Sequence, residues 1–386
     1  MAMFYFDHNA TTPLFHCAQQ AWLLAQDQAW MNPSSPYRQA AAVHARLNAA
    51  RGRLADLMAI DAERIVFNSG ASEGNHAIFG HLAATLPAGS CVGISPTEHA
   101  SLQAAAELFF PGRVILLALD HAGRVDRTAL RKQLIAGKLA AVSVMAANNE
   151  TGIVNPWRQI AQDCREFGCL YHCDAAQWVG KMPLACLGDS DFVTASAHKF
   201  GGPKGVGFLV LPSAVDFHAS IRGGQQEGGR RAGTEDVPAI IAMVAALEHA
   251  NAALAAAALV DQPSLAEWQA AVPGIQVVGG TAQDLWNTRC VIMPDYASVR
   301  WVRALERRQW ICGTGAACSG SSVGQVGHSV LEHLGYSMAQ RDRMLRFSSG
   351  WQTSAQDWRA LLAALAAVYA ELQEQAEHSL SSVLRL

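Results

Sequence analysis

The sequence predicts an α/β fold: a doubly wound, mostly parallel sheet in a large first part, followed by a smaller α+β C-terminal part. Three observations predict it. From about residue 65 to residue 211, short apolar runs alternate with stretches of helical periodicity. Polar residues (His99, Asn149, Asp174, Gln177 and the run Ser196-Ala197-His198-Lys199) stand at or just past the ends of those runs, where ligands of open α/β sheets bind. Beyond the alanine-rich stretch Ala239 to Val260 the pattern changes character. Composition agrees. With 386 residues, 51% hydrophobic and 16% charged, the chain can bury a large core and divides into two domains.

The elements follow in order. Phe4-Tyr5-Phe6 reads as a short strand entering the polar turn Asp7-His8-Asn9-Ala10-Thr11-Thr12-Pro13. A helix follows from about Ala18 to Trp30. The loop Asn32-Pro33-Ser34-Ser35-Pro36 carries capping chemistry before an alanine-rich helix from about Gln39 to Leu57. Ile65-Val66-Phe67 is a strand, and Asn68 to Asn75 turns from it into a helix through Gly70, Ala71 and Ser72. Small residues at such a turn let backbone N–H groups and a hydroxyl approach a phosphate at the helix N-terminus, although any tight strand-helix turn favours Gly and Ser. Strands are predicted at Cys91–Ser95, Arg113–Ala118, Ala140–Ala146, Leu170–Asp174, Phe192–Ser196 and Val206–Leu211, with helices after Ser101, within Val125–Leu134 and at Pro156–Phe167. Ala239–Val260 is a long linking helix. The C-terminal part then holds a turn and strand at Val272–Gly280, a strand at Arg289–Pro294, a helix at Ser298–Glu306, a short strand at Trp310–Gly313 and a helix from about Asp357 to Leu372.

Charge and cysteine usage exclude several classes. Lys+Arg number 29 against Asp+Glu 32, a formal charge of -3, with the basic residues scattered; nucleic acid is not an expected partner. The N-terminus lacks a basic flank and an apolar stretch of signal-peptide length, and no later segment is read as long and apolar enough to span a bilayer. The expectation is a cytoplasmic protein with no membrane partner. Nine cysteines without CxxC spacing support neither a disulfide framework nor a metal site.

The stretch Asp191 to Gly205 organises the chemistry. An apolar run ends in Ser196, His198 and Lys199, and Gly201, Gly202 and Gly205 prevent a helix. A lysine at a buried strand end is costly to desolvate as a cation, so its amine becomes a usable nucleophile or general base. Alone, Lys199 reads as a strand-end lysine with its charge in water, Asp174 as a helix cap and His99 as a core histidine. Together with the phosphate turn they meet the demand of pyridoxal 5'-phosphate: a lysine for the Schiff base, an acid for the pyridinium nitrogen and donors for the phosphate.

At these residues the chain resembles a cysteine desulfurase of the NifS/IscS type, within the class V aminotransferases of fold type I. The resemblance covers nearly the whole length. It rests on Asp7–Thr12, Asn32–Ser35, Ser69–Glu73, Thr97–His99, Asn148–Glu150, His172–Gln177, Ser196–Lys199, Gly229–Thr234, Gly315–Ser319 and Arg346–Ser348. It implies a seven-stranded, mostly parallel sheet in a large cofactor domain, 16–255, and a small domain made of 1–15 with 256–386. It implies that Lys199 carries the cofactor, Asp174 pairs with the pyridinium nitrogen, Gln177 bonds the phenolic oxygen and His99 stacks over the ring. Ala71, Ser72, Ser196, His198 and, from the other subunit of a homodimer, Thr234 hold the phosphate. Asn149 and Arg346 hold the substrate carboxylate, for which a guanidinium fork is suited.

The resemblance also implies the reaction. L-cysteine is the substrate, the freed Lys199 amine removes the Cα proton, and the thiolate of Cys318 attacks the substrate sulfur. Alanine leaves, and a persulfide on Cys318 passes sulfur to an acceptor such as an iron–sulfur scaffold protein, or into thiolation. His99 moves protons, best as the neutral ring. The glycine-rich segment around Cys318, about 313–327, lacks an apolar face and is expected to be mobile, as a thiolate that carries sulfur outward must be. The other cysteines read as inert packing, with Cys173, beside Asp174, the one to watch. The chain departs from the family pattern at Tyr37, where histidine is usual, at Ala40, where glycine is usual, and at Gly228, where arginine is usual. Alternatives stay open: a selenocysteine lyase or another class V pyridoxal-phosphate enzyme, and a low-activity partner in sulfur transfer.

Overall fold

The computed structural model describes residues 3–314 and 330–383. Its strands are β1 (Phe4–Phe6), β2 (Ile65–Asn68), β3 (Val92–Ile94), β4 (Val114–Leu116), β5 (Ala141–Ser143), β6 (Leu170–Asp174), β7 (Phe192–Ser196), β8 (Gly207–Val210), β9 (Gln276–Val278), β10 (Thr288–Ile292), β11 (Trp310–Cys312) and β12 (Met344–Ser348). The chain forms two compact units. The larger comprises Thr11–Asn149 and Ile153–Leu254; the smaller gathers the described residues of Met1–Ala10, Glu150–Gly152 and Ala255–Leu386.

The larger unit is built on a seven-stranded sheet of order β2-β8-β7-β6-β5-β3-β4. Only β8 runs against its neighbours; the β7-β6, β6-β5, β5-β3 and β3-β4 pairs are all parallel. The central strands are buried along almost their whole length, as expected where helices cover both faces of a parallel sheet. Helices Ala71–Thr85 and Ala100–Phe109 bury Ile78, Phe79, Leu82 and Leu102 against Ile94 and Phe192. The end of the polar turn belongs here too, because Thr12 N donates to His198 O at 2.8 Å and Phe15 N to Gly201 O at 2.9 Å.

One expectation is corrected. Helix Val237–Ala258, 22 residues with a mean hydropathy of 1.6, is long and apolar enough by length and composition to cross a membrane. Its apolarity has another use in this fold: Ala242, Met243, Val244, Ala246, Leu247 and Ala250 are fully buried within the larger unit.

The smaller unit has an antiparallel sheet of order β12-β10-β9 and a parallel pair, β1 with β11. Its core is aromatic, with Phe6, Trp268, Trp301, Phe347 and Trp358 at its centre. Trp268 lies on a helix absent from the sequence reading, Leu265–Ala271. Its start carries a capping box: Glu267 N donates to Ser264 Oγ and Ser264 N to the Glu267 carboxylate. Leu285 N donates to Gly152 O at 2.9 Å, which fixes Glu150–Gly152 to this unit.

Candidate active site

The parallel strands of the larger unit deliver its polar residues to one edge. β6 ends in Asp174 and β7 in Ser196, with Asp174 opposite Thr194 in the ladder. Asp174 is buried, and its carboxylate accepts from Asn75 Nδ2 at 3.1 Å and from Ala176 N at 2.9 Å. Asn75 Nδ2 also donates to Ser101 Oγ at 3.2 Å, and Ser101 N donates to His99 Nδ1 at 3.2 Å. Asn75 thus ties the acid at the end of β6 to the histidine at the start of helix Ala100–Phe109. Because His99 Nδ1 accepts, the neutral ring carries its proton on Nε2.

Ser196 Oγ accepts from Ala71 N at 2.7 Å, joining the end of β7 to the first residue of helix Ala71–Thr85. The approach is close: Gly70 has φ of +140°, and a Cβ built there would sit 2.9 Å from Ser196 Oγ. Glycine is therefore required at this turn. Lys199 ends the short helical turn Ala197–Lys199, where Phe200 N and Gly202 N both return to Ala197 O. The Lys199 carbonyl accepts from Thr12 Oγ1 at 3.3 Å, and Thr11 Oγ1 lies 3.2 Å from His198 Nδ1. Gln177 is buried just beyond Asp174.

Burial sets the protonation states. His99 is held below the ordinary histidine range by desolvation, with Lys199 adding to that and Asp174 opposing it. The ring is therefore neutral near pH 7, the state its expected proton-moving role requires. Burial also lowers His198 to about 4, helped by Lys199, Lys204 and Lys181. Glu98 is pushed well above the carboxylate range by burial and then by Asp174, while Met145 N donates to its Oε1 at 2.5 Å.

Glu98 makes stability depend on pH. A raised folded pKa gives stability that is full below the ordinary carboxylate range and is lost as pH climbs through the folded value. Glu98→Gln keeps the acceptor for Met145 N and removes the titration. The variant should gain on the wild type as pH rises, up to about 2 kcal/mol, the cost of an uncompensated buried group. Denaturant melts across neutral and alkaline pH measure the gap, and a gap independent of pH contradicts the assignment.

Asn149 follows Asn148, whose Nδ2 donates to Thr97 O at 3.2 Å and whose N donates to Ile153 O at 2.9 Å. Thr234 is exposed and lines a cavity of about 150 Å³ with Ser69, Gly205 and Arg231. Ser72 is exposed at the helix start. In the smaller unit Arg346 is 1% exposed and lies within β12, so it is no surface arginine. Its Nη2 donates to Asp7 Oδ1 at 2.7 Å, and a Cβ on Gly313 would fall 2.7 Å from that nitrogen.

Cys318 lies outside the described residues. Cys173 is fully buried and its thiol is raised well above its ordinary range, first by desolvation, so it stays protonated. Burial also raises Cys312, to about 12. At Gly228, where the family pattern has arginine, φ is +66°, a left-handed position that favours glycine. The preceding Glu227 is buried and accepts from Arg51 at 2.7 and 2.8 Å and from Phe67 N at 2.9 Å. Sequence reasoning gave no role to Asn75, Glu98, Asp7 or Lys181; for Asn75 the available signal was a polar side chain one turn into an otherwise apolar helix face.

Comparison with known proteins points to one family. The family model described as aminotransferase class-V matches residues 4–361. A cysteine desulfurase of Cereibacter sphaeroides is 36% identical over 94% of this chain and 94% of its own length. One from Rhodobacter capsulatus is 35% identical over 96% and 97%. Among solved structures, a NifS-like protein superposes with a TM-score of 0.87 at 25% identity, covering 96% of this chain and all of that one. SspA in complex with cysteine gives 0.75 at 26%, covering 89% and 98%. With its seven-stranded, mostly parallel sheet and its strand-end acid and lysine, the chain belongs to the class-V aminotransferase family, among its pyridoxal-phosphate-dependent cysteine desulfurases of fold type I.

Proposed function

We propose that the chain removes sulfur from L-cysteine, releasing L-alanine and leaving a persulfide on Cys318. The observation that carries this reading is the joint placement of Asp174, His99 and Lys199 along one edge of the larger unit's sheet, with Asn75 bridging the first two. The residues fit pyridoxal 5'-phosphate. A buried carboxylate is fixed by two donors, and the absent Cβ of Gly70 lets Ser196 Oγ come onto a helix N-terminus. When bound, the cofactor supplies an electron sink for the substrate Cα.

The chain's own residues do the rest. Lys199 would carry the cofactor and its amine would take the Cα proton. Asp174 would favour the protonated pyridine nitrogen, since a fixed neighbouring carboxylate favours the cation. Gln177 would donate to the phenolic oxygen and His99 would stack with the ring, its Nε2 proton available for transfer. Ser196, whose oxygen already accepts from Ala71 N, directs its hydroxyl proton to the phosphate together with Ser72, His198 and the Thr234 of a second copy in a homodimer. The Ala71 N–H, engaged by Ser196, serves the phosphate by holding that hydroxyl. We assign the substrate carboxylate to Asn149 and to Arg346, whose guanidinium Asp7 orients. Cys318 attacks the substrate sulfur and passes it to an acceptor protein such as an iron–sulfur scaffold. A cytoplasmic setting, where thiols stay reduced, suits the eight described cysteines, all of them free.

The test is L-cysteine turnover with a reductant, alanine and sulfide being quantified together, beside Cys318→Ala. Equal yields in the wild type, and a loss of both in a variant whose visible spectrum still responds to cysteine, are expected. No alanine from cofactor-loaded wild type overturns the reading.

A further inference from the structure

One lysine that the reaction above does not use is closed off from water. Lys181 is 0% exposed, although a lysine is almost never fully buried unless paired. It lies on the turn that leaves β6. Trp178 N and Val179 N both donate to Ala175 O at 2.9 Å, and Lys181 N and Met182 N both donate to Trp178 O at 3.0 Å. These bonds close a tight turn that brings two side chains together: Lys181 Nζ donates to Gln177 Oε1 at 2.5 Å.

The chemistry of the pair has one sense only. A glutamine amide has an acceptor end and a donor end that a flip exchanges, whereas an ammonium can only donate. Facing Lys181, the amide presents its oxygen, which turns its NH2 group to the other side. The same turn is pressed against the Lys199 loop. Gly180 has φ of +78°, and a Cβ built on it would lie 2.5 Å from Cβ of Phe200, the neighbour of Lys199. Backbone and side chain are thus both fixed.

We propose that Lys181 is a positioning residue that locks the Gln177 amide in the one orientation able to donate to the cofactor's phenolic oxygen. The inference rests on the role assigned to Gln177 above and adds what enforces it. With Lys181 removed, the amide can turn its own oxygen toward a phenolate, exchanging a hydrogen bond for a repulsion. A phenolate without its donor is more negative, and it holds the proton on the neighbouring Lys199 nitrogen to higher pH.

The test is a pH titration of the visible absorbance of four cofactor-loaded proteins: wild type, Gln177→Ala, Lys181→Met and the double variant, with Lys181→Gln as the polar alternative should methionine disturb the fold. The Lys181 variants and Gln177→Ala should each move the midpoint upward by about one pH unit. The double variant should match Gln177→Ala alone, because a residue acting through another adds nothing once that other is gone. A wild-type midpoint in both Lys181 variants, beside a shifted Gln177→Ala, overturns the proposal. So does a further shift when Lys181 is replaced in the Gln177→Ala background, which would mean that its charge acts directly. An unmoved Gln177→Ala removes the assignment of Gln177 itself, and the proposal with it.

Discussion

Lys199→Ala is expected to end L-cysteine turnover, with a drop of at least about 10⁴-fold, the upper range for a positioned proton-transfer group, because the same amine anchors the cofactor and takes the Cα proton. The fold should survive. Lys199 is half-exposed at the end of a turn whose closing hydrogen bonds are made by Phe200 N and Gly202 N to Ala197 O, none through its side chain. Borohydride reduction separates anchoring from turnover. Wild-type protein should keep its cofactor through denaturation after reduction, and the variant should release it. Retention in the variant would move the anchor to another lysine, and Lys181, also in the larger unit, would be the one to examine.

Asp174→Asn should slow turnover by about 10²–10³-fold, the scale on which removing a single preorganised electrostatic group slows an enzyme. The substitution is nearly isosteric and keeps an oxygen for Ala176 N, so the turn after β6 should hold. What goes is the charge. The neutral amide gives the pyridine nitrogen no reason to stay protonated, and the sink for Cα electrons weakens. Exchange of the Cα proton with solvent deuterium, followed by mass spectrometry, should fall in step with alanine formation while KM changes little. A rate within tenfold of the wild type would sink the role given to Asp174.

Asn75 sharpens that expectation. Its Nδ2 faces the carboxylate, and its Oδ1 accepts from Thr194 Oγ1 at 2.8 Å. Thr194 Oγ1 lies 3.3 Å from His172 Nε2, and His172 Nδ1 lies 2.8 Å from Ser143 Oγ. Burial lowers His172 to about 4, so the ring is neutral. With Thr194 donating to Asn75, its oxygen accepts from His172 Nε2–H, and Nδ1 accepts from Ser143. Every donor in the series is directed by the one before it, and the series ends on Asp174 as an acceptor.

Much of this was legible in the sequence. The strands of the large sheet announced themselves because apolar runs of three to seven residues, punctuated by Gly, Asn and Asp, have few other uses in a globular composition. Their ends were read too long: Ala140–Ala146 is a strand only at Ala141–Ser143, since Val144 and Ala146 donate singly to His172 O and Asp174 O without extending the ladder. Asp174 and Lys199 stood out because both are charged residues closing apolar runs. Lys181 and Asp7 did not. The partner of Asp7 is Arg346, 339 residues away, and no local pattern joins them. Lys181 follows a glycine in a turn, where an exposed lysine is the ordinary expectation, yet in the fold it is an interior one. The helix Val237–Ala258 was read as a linking helix and not as a span; its composition matches a bilayer span, while its buried residues belong to the core of the larger unit.

The pairing of β6 with β7 bears on how the sequence can change. His172, Cys173 and Asp174 stand opposite Phe192, Val193 and Thr194, and Lys199 follows on the same strand's exit. The distance between acid and amine is therefore counted out in residues along a ladder, as on a ruler. One residue inserted into β7 would carry Lys199 about 3.3 Å further along the sheet and turn each following side chain to the opposite face. No substitution elsewhere restores that spacing; only a second length change in β6 could.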